Sequence, residues 1–128
     1  KAYRDMHRDE LDNHVLAIES DGGVFSPKGF GFSGSEPAWK IVEEIHELLE
    51  PIGANIISKG GRAADMTPLN DEGVPVMSLK VDGSKYFWYH HTNADTFDKI
   101  DFNEFNRCVA AMAIMAYVVA DLDEPLPR

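Results

Sequence analysis

A chain of 128 residues with 44% hydrophobic content suits one globular unit, able to bury roughly two-thirds of the surface its unfolded form exposes. Its 22 acids outnumber 12 bases, a formal net charge of −10, which argues against a nucleic-acid backbone or an anionic membrane surface as partner. Cys108 is the one cysteine, so neither an intramolecular disulfide nor a cysteine-built zinc cluster can form, and cysteine usage is silent about compartment.

Residues 1–12 are highly charged, with Tyr3, Met6 and Leu11 as sparse apolar points, and predict the tail of a solvent-facing helix that Asn13 ends. The first residues hold no apolar signal core and no initiator Met, and the chain is expected to be a piece of a longer protein. The run His14-Val-Leu-Ala-Ile-Glu19 predicts a short buried strand, stopped by Ser20-Asp21-Gly22-Gly23. In open α/β sheets, sites lie beyond the carboxyl ends of strands. Asp21 is a candidate by that position; the plain alternative is a turn-capping aspartate.

Residues 24–34 read as a glycine-rich loop with aromatic anchors. Its Gly29-Phe-Gly-Phe-Ser-Gly34 segment has no strand-turn-helix context and is rejected as a dinucleotide fingerprint. Ser35 caps the next helix, with Pro37 in its first turn. Ala38, Val42, Ile45 and Leu49 recur at helical spacing, and Pro51 and Gly53 close the segment. Adjacent Glu43 and Glu44 point about 100° apart on a helix and read as solvated charge rather than an acid–base pair.

Ala54 to Ser58 predicts a strand, followed by a glycine-containing loop from Lys59 to Asp65. Met66 to Glu72 predicts a helical turn stopped by Gly73, and Pro75 to Val81 another strand before an Asp82-Gly83 turn. Tyr86-Phe-Trp-Tyr89 reads as an aromatic strand that ends in His90-His91. Neutral imidazole is the commonest metal ligand, although a histidine at the end of an element also serves simply to bond a loop. Asp101-Phe-Asn-Glu104 predicts a capping box that opens a helix with Phe102, Phe105, Val109, Met112 and Ala116 as its apolar stripe. The 13-residue apolar run from Cys108 to Ala120 is shorter than the 20 or so residues a membrane span needs. Alternating helices and strands of this kind predict an α/β fold, part of a three-layer α/β/α sandwich. On that reading Asp21, the 59–65 loop and His91 all follow strands and converge on one crevice.

The residues Glu19-Ser-Asp-Gly-Gly23, Gly29 to Gly34, and His90-His-Thr-x-x-Asp-Thr96 together resemble the co-catalytic di-zinc exopeptidases, which include bacterial aminopeptidases. The resemblance covers essentially the whole chain, and the first and last motifs stand about 70 residues apart. It implies the zinc-dependent exopeptidase sandwich with a mixed sheet, of which residues 1–128 form the C-terminal portion. It implies two zinc ions in the full-length enzyme, with Asp21 a ligand of one and His91 of the other. Where many relatives carry a tyrosine whose hydroxyl supports the oxyanion, this chain has His90, whose imidazole N–H can take that place. Asp95 and Thr96 shape the turn or orient an imidazole. In the 59–65 loop the candidate substrate-binding residues are Arg62 and Asp65, with Arg62 or Lys59 for a peptide carboxylate; the plain alternative is a solvated charge.

The family also needs a His-x-Asp element and a Glu-Glu pair, both upstream of Glu-Ser-Asp-Gly, and no matching context occurs here. The expected function is therefore part of a metallopeptidase acting on dipeptides or short peptides, from either the carboxy or the amino end, and inactive as this piece alone. The alternative is a non-catalytic interaction domain that keeps the peptidase fold, as in the transferrin receptor. The implied partner is a peptide, with no nucleic acid or membrane, and a homodimer of the full-length protein is allowed. The resemblance places such a protein outside the cytoplasm, secreted or periplasmic.

Overall fold

The computed structural model describes residues 1–61 and 63–128. Four strands, β1 (Ala17–Glu19), β2 (Pro27–Ser33), β3 (Ile56–Lys59) and β4 (Val76–Val81), form one mixed sheet in the order β1-β4-β2-β3. β1 runs parallel to β4, β2 parallel to β3, and the central pair β2/β4 is antiparallel. The helices are α1 (Ala2–Met6), α2 (Glu36–Ile45), α3 (Thr67–Asn70), α4 (Tyr86–Tyr89) and α5 (Phe102–Ala120), with 3-10 segments at Arg8–Asn13, His46–Ile52 and Phe97–Lys99.

One face of the sheet carries the core. Phe30 and Phe32 of β2 lie beside Leu79 and Met77 of β4 and bury against Ala38, Val42 and Ile45 of α2, Leu49, and Cys108, Ala111, Met115 and Val119 of α5. Burying a side chain of this size contributes roughly 1.5–3 kcal/mol. Ser35 caps α2 as expected, accepting from the Ala38 amide at 3.2 Å.

The stretch expected to be a glycine-rich loop is instead the central strand β2. Its glycines alternate with its phenylalanines, so one face holds both rings and the other is bare at Gly29 and Gly31. That bare face is needed, because neighbouring backbone lies directly on it. A Cβ on Gly29, whose φ is +142°, would stand 1.8 Å from the Ile56 carbonyl oxygen, and one on Gly61 would stand 2.1 Å from that of Gly31. Composition pointed to a loop; close backbone approach is the reason for the glycines.

Tyr86-Phe-Trp-Tyr89 is not a strand either. Both sides of β4 are already paired, by β1 and β2, so a run leaving β4 has no adjacent sheet edge to join. Asp82 accepts from the Ser84 amide at 2.8 Å, the Tyr86 amide donates to the Gly83 carbonyl, and the chain winds into the single turn α4. Phe87 and Trp88 are left 82% and 64% exposed.

At the start of α5, Asp101 accepts from the Asn103 and Glu104 amides at 2.9 and 3.0 Å, half of the anticipated reciprocal cap. The helix buries a different stripe from the expected one. Cys108, Ala111, Met115 and Val119 face the core, while Phe102, Phe105 and Val109 remain exposed. A helix that is apolar almost all round gives periodicity no means of choosing a face. Phe105, Val109 and Met112 instead line, with Ile18, Val24 and Leu79, an apolar groove of about 560 Å³. Among the described residues no helix is long and apolar enough to cross a membrane.

Candidate metal centre

Sheet direction decides which loops can meet. β1 and β4 are adjacent and parallel, so Asp21 after β1 and His91 after β4 emerge at the same edge. β2 begins at that edge, which brings Gly23, Val24 and Phe25 to it as well. The three segments enclose a cavity of about 650 Å³, whose lining includes Asp21, His90, His91 and Asp95.

The 59–65 loop starts at the opposite edge, because β3 runs against β4, so the expected convergence of all three strand ends does not hold. The chain instead doubles back over the bare face of β2. The Gly60 amide donates to the Phe32 carbonyl at 2.9 Å and the Gly61 amide to Ser33 Oγ at 3.0 Å. Lys59 pairs with Glu36 at 2.9 Å and stands over the Trp39 ring at 5.3 Å, in a separate cavity away from Asp21 and His91. Asp65 lies outside the lining of the large cavity, on the covered face of the sheet close to Glu19. Arg62 lies outside the described residues.

The histidine pair sits on a stack of rings. The one-turn helix places Tyr86 below His90, at i and i+4, with ring centroids 4.4 Å apart and the tyrosine hydroxyl 3.4 Å from His90 Nε2. His90 in turn stacks on His91 at 3.8 Å. His91 has φ +57°, a left-handed conformation that costs a residue with a Cβ roughly 1–2 kcal/mol. Such outliers persist where the surroundings over-determine them, and here the reversal folds the two imidazoles together at the cavity wall. Thr92 fixes the following turn by donating to the Tyr89 carbonyl at 2.8 Å and accepting from the Ala94 amide at 3.1 Å.

The charge of the lining favours a cation. Asp21, Asp95, Asp101 and Glu104 face it, against Lys99. The Lys99 ammonium is already bonded to Asp98 at 2.5 Å, which holds the lysine above its ordinary range and, together with Thr96, the aspartate below its own. Carboxylate and imidazole are zinc donors in chemistry, so Asp21 and His91 fit the metal the resemblance implies. The set is partial: among the described residues no three His, Cys, Asp or Glu side chains come together to hold an ion.

Glu19 and Tyr86 were not singled out from the sequence. Glu19 stands two residues before Asp21 and is the cross-strand partner of Ser78; Glu19 Oε2 and Ser78 Oγ are both buried without a hydrogen-bond partner among the described residues. Burial pushes the Glu19 carboxyl up from its ordinary value, the Asp65 and Asp21 carboxylates push it further, and the amides of Met66 and Asp65 partly oppose this. A raised carboxyl favours folding below its unfolded value, and that contribution is lost as pH climbs through the folded one. Glu19→Gln is therefore expected to raise the melting temperature of the metal-free protein by a few degrees at pH 7. The gain should vanish below about pH 4, where both states are protonated. A thermal melt series from pH 4 to 8 that shows no pH-dependent gap would contradict this account. Tyr86 was hidden by the strand assignment, since only helical spacing brings it to His90.

A protein-family model described as peptidase family M28 matches residues 1–116. The chain belongs to that family. Among M28 relatives it is 40% identical to human carboxypeptidase Q and 38% to the mouse protein, over 126 residues, 98% of this chain. Bovine carboxypeptidase Q is 41% identical over the same extent. The crystal structure of a peptidase M28 precursor from Shewanella amazonensis superposes with a TM-score of 0.89 at 34% identity, covering 99% of this chain. The chain spans 27% of the length of these curated relatives and 29% of the crystallised one. The mixed sheet with its helical layers is thus the M28 peptidase fold, as the resemblance implied.

Proposed function

We propose that the full-length protein to which this chain belongs is a zinc-dependent exopeptidase of dipeptides or short peptides, and that this chain supplies part of its metal centre. One observation carries the reading. Asp21 and His91, 70 positions apart in the sequence, reach the same edge of the sheet and face one cavity of about 650 Å³ whose lining is rich in acids. In this reading Asp21 holds one zinc ion and His91 the other, and bound zinc lowers the pKa of water and polarises a carbonyl.

The remaining work falls to the chain's own groups. His90, at the cavity wall beside His91, donates a hydrogen bond to the oxygen of the scissile carbonyl as its charge grows. Val24, Phe25 and Tyr89 exclude water from one side of the cavity. Asp95 helps hold the turn that presents the imidazoles. The general base and the remaining ligands come from parts of the protein outside these residues, so the chain alone is inactive. The partner is a peptide rather than nucleic acid or membrane, a second copy of the full-length protein is allowed, and the location is secreted or periplasmic.

The test is dipeptide hydrolysis by the full-length protein, measured before and after chelation and after zinc is restored. Turnover that disappears with the chelator and returns with zinc supports the reading. A correctly folded full-length protein that never hydrolyses peptides under these conditions would instead be an interaction domain on a peptidase fold.

A further inference from the structure

We infer that Phe97 is a specificity-determining residue, its ring forming the apolar wall against which the peptide seats a large aliphatic or aromatic side chain beside the scissile bond. This rests on the reading of the cavity as a peptide-hydrolysing site and deepens it by naming the class of peptide. Phe97 stands six residues after His91 and lines the same cavity of about 650 Å³ as Asp21 and His91, yet it is 76% exposed. An apolar ring in water gains by being covered, and a molecule held beside Asp21 and His91 is placed to cover it.

The wall is built before anything binds. The Lys99 amide donates to the Thr96 carbonyl at 3.0 Å and the Ile100 amide to the Phe97 carbonyl at 3.2 Å, which closes the turn that carries the ring. Phe102, in the first turn of α5, meets that ring at 77° with centroids 6.5 Å apart, an edge-to-face pair that helps fix its position. The charged groups of the same wall are engaged close by. Lys99 bonds Asp98, which also accepts from Thr96, and Asp101 accepts from the amides of Asn103 and Glu104. Phe97 is thereby the large apolar group that this wall leaves open. Placement separates it from other exposed rings. Phe87 and Trp88 are exposed as well, but they lie outside the lining of the cavity that holds Asp21 and His91. A peptide backbone offers the same groups whatever its sequence, so a choice among peptides must come from side-chain contacts. One apolar contact of this kind discriminates by roughly 10- to 200-fold.

The experiment uses the full-length, zinc-loaded protein, the variants Phe97→Ala, Phe97→Leu and Trp88→Ala, and the dipeptides Gly-Gly, Leu-Gly and Gly-Leu. The parent is expected to hydrolyse at least one leucine dipeptide with kcat/KM about tenfold above that for Gly-Gly. Phe97→Ala should bring that ratio close to one, chiefly by raising KM for the leucine dipeptide. Its kcat/KM for Gly-Gly, its zinc content and its melting temperature should stay as in the parent. Phe97→Leu should recover most of the preference, because an apolar surface returns, and Trp88→Ala should leave it untouched. A parent without a preference for leucine, a ratio unaltered in Phe97→Ala, or an equal loss on Gly-Gly would each overturn the proposal. So would a melting temperature several degrees lower with the ratio intact, since the ring would then be packed against the rest of the protein. A parent inert on all three dipeptides would remove the peptidase reading as well, whereas an active parent with an unaltered ratio removes the role of Phe97 alone.

Discussion

His91→Ala in the full-length protein is expected to remove one of two zinc ions and to lower kcat more than about a thousandfold. A metal that polarises the carbonyl is worth several kcal/mol in the transition state, and about 1.4 kcal/mol is a factor of ten in rate. His91 is the group with the least substitute nearby. It is held in a left-handed backbone conformation at the cavity wall, with His90 stacked against it. His90 keeps its stack on Tyr86 in that variant, which holds its ring where it is. His46→Ala is the control. Its imidazole bonds the Glu43 carbonyl in the last turn of α2, away from the cavity, and both zinc content and rate should stay as they were. Metal analysis and steady-state rates on the two variants decide the matter; equal losses in both would sink the assignment of His91.

The second large effect concerns the chain by itself. The isolated 128 residues are expected to show no dipeptidase activity and no tight zinc site, although they contain the two proposed ligands Asp21 and His91. Asp21 and His91 serve different ions in the proposed centre, and ions in two-metal sites stand about 3.5–4 Å apart. Each ion would have one protein ligand where catalytic zinc usually has three. A single carboxylate or imidazole does not offset dehydration of the ion, and among the described residues no third donor joins either one. Titration calorimetry with zinc on the folded chain should give at most weak binding without fixed stoichiometry, as expected of an acidic surface. A tight stoichiometric site abolished by Asp21→Ala would mean that a complete ligand set is present here.

Local chemistry made a good part of this protein legible. Ser35 and Asp101 announce the starts of two helices because a short oxygen-bearing side chain can satisfy amides that a helix leaves bare. Ala38, Val42, Ile45 and Leu49 announce the buried side of the first long one by their helical spacing, with Lys40, Glu43, Glu47 and Glu50 turned outward. Glu-Ser-Asp-Gly-Gly and His-His-Thr were visible as motifs, and with them the fold family and Asp21 and His91 as candidate ligands.

Other features depended on pairings that no local window contains. Gly29 and Gly31 mark a loop by composition and a central strand in the fold, because what presses on them is backbone from Ile56 and Gly60. Tyr86 to Tyr89 has strand-forming side chains, yet both neighbours of β4 are taken, and the run becomes a helical turn. The face of α5 was open for the same kind of reason, since a helix apolar on all sides packs by shape rather than by pattern. Which loops meet Asp21 followed from strand direction alone: parallel β1 and β4 deliver Asp21 and His91 to one edge, while β3 sends its loop from the other. Side-chain type, spacing and capping act over a few residues and can be read directly from the order of amino acids. Strand order, strand direction and the choice among equivalent apolar faces are settled only when distant segments compete for the same edges and surfaces.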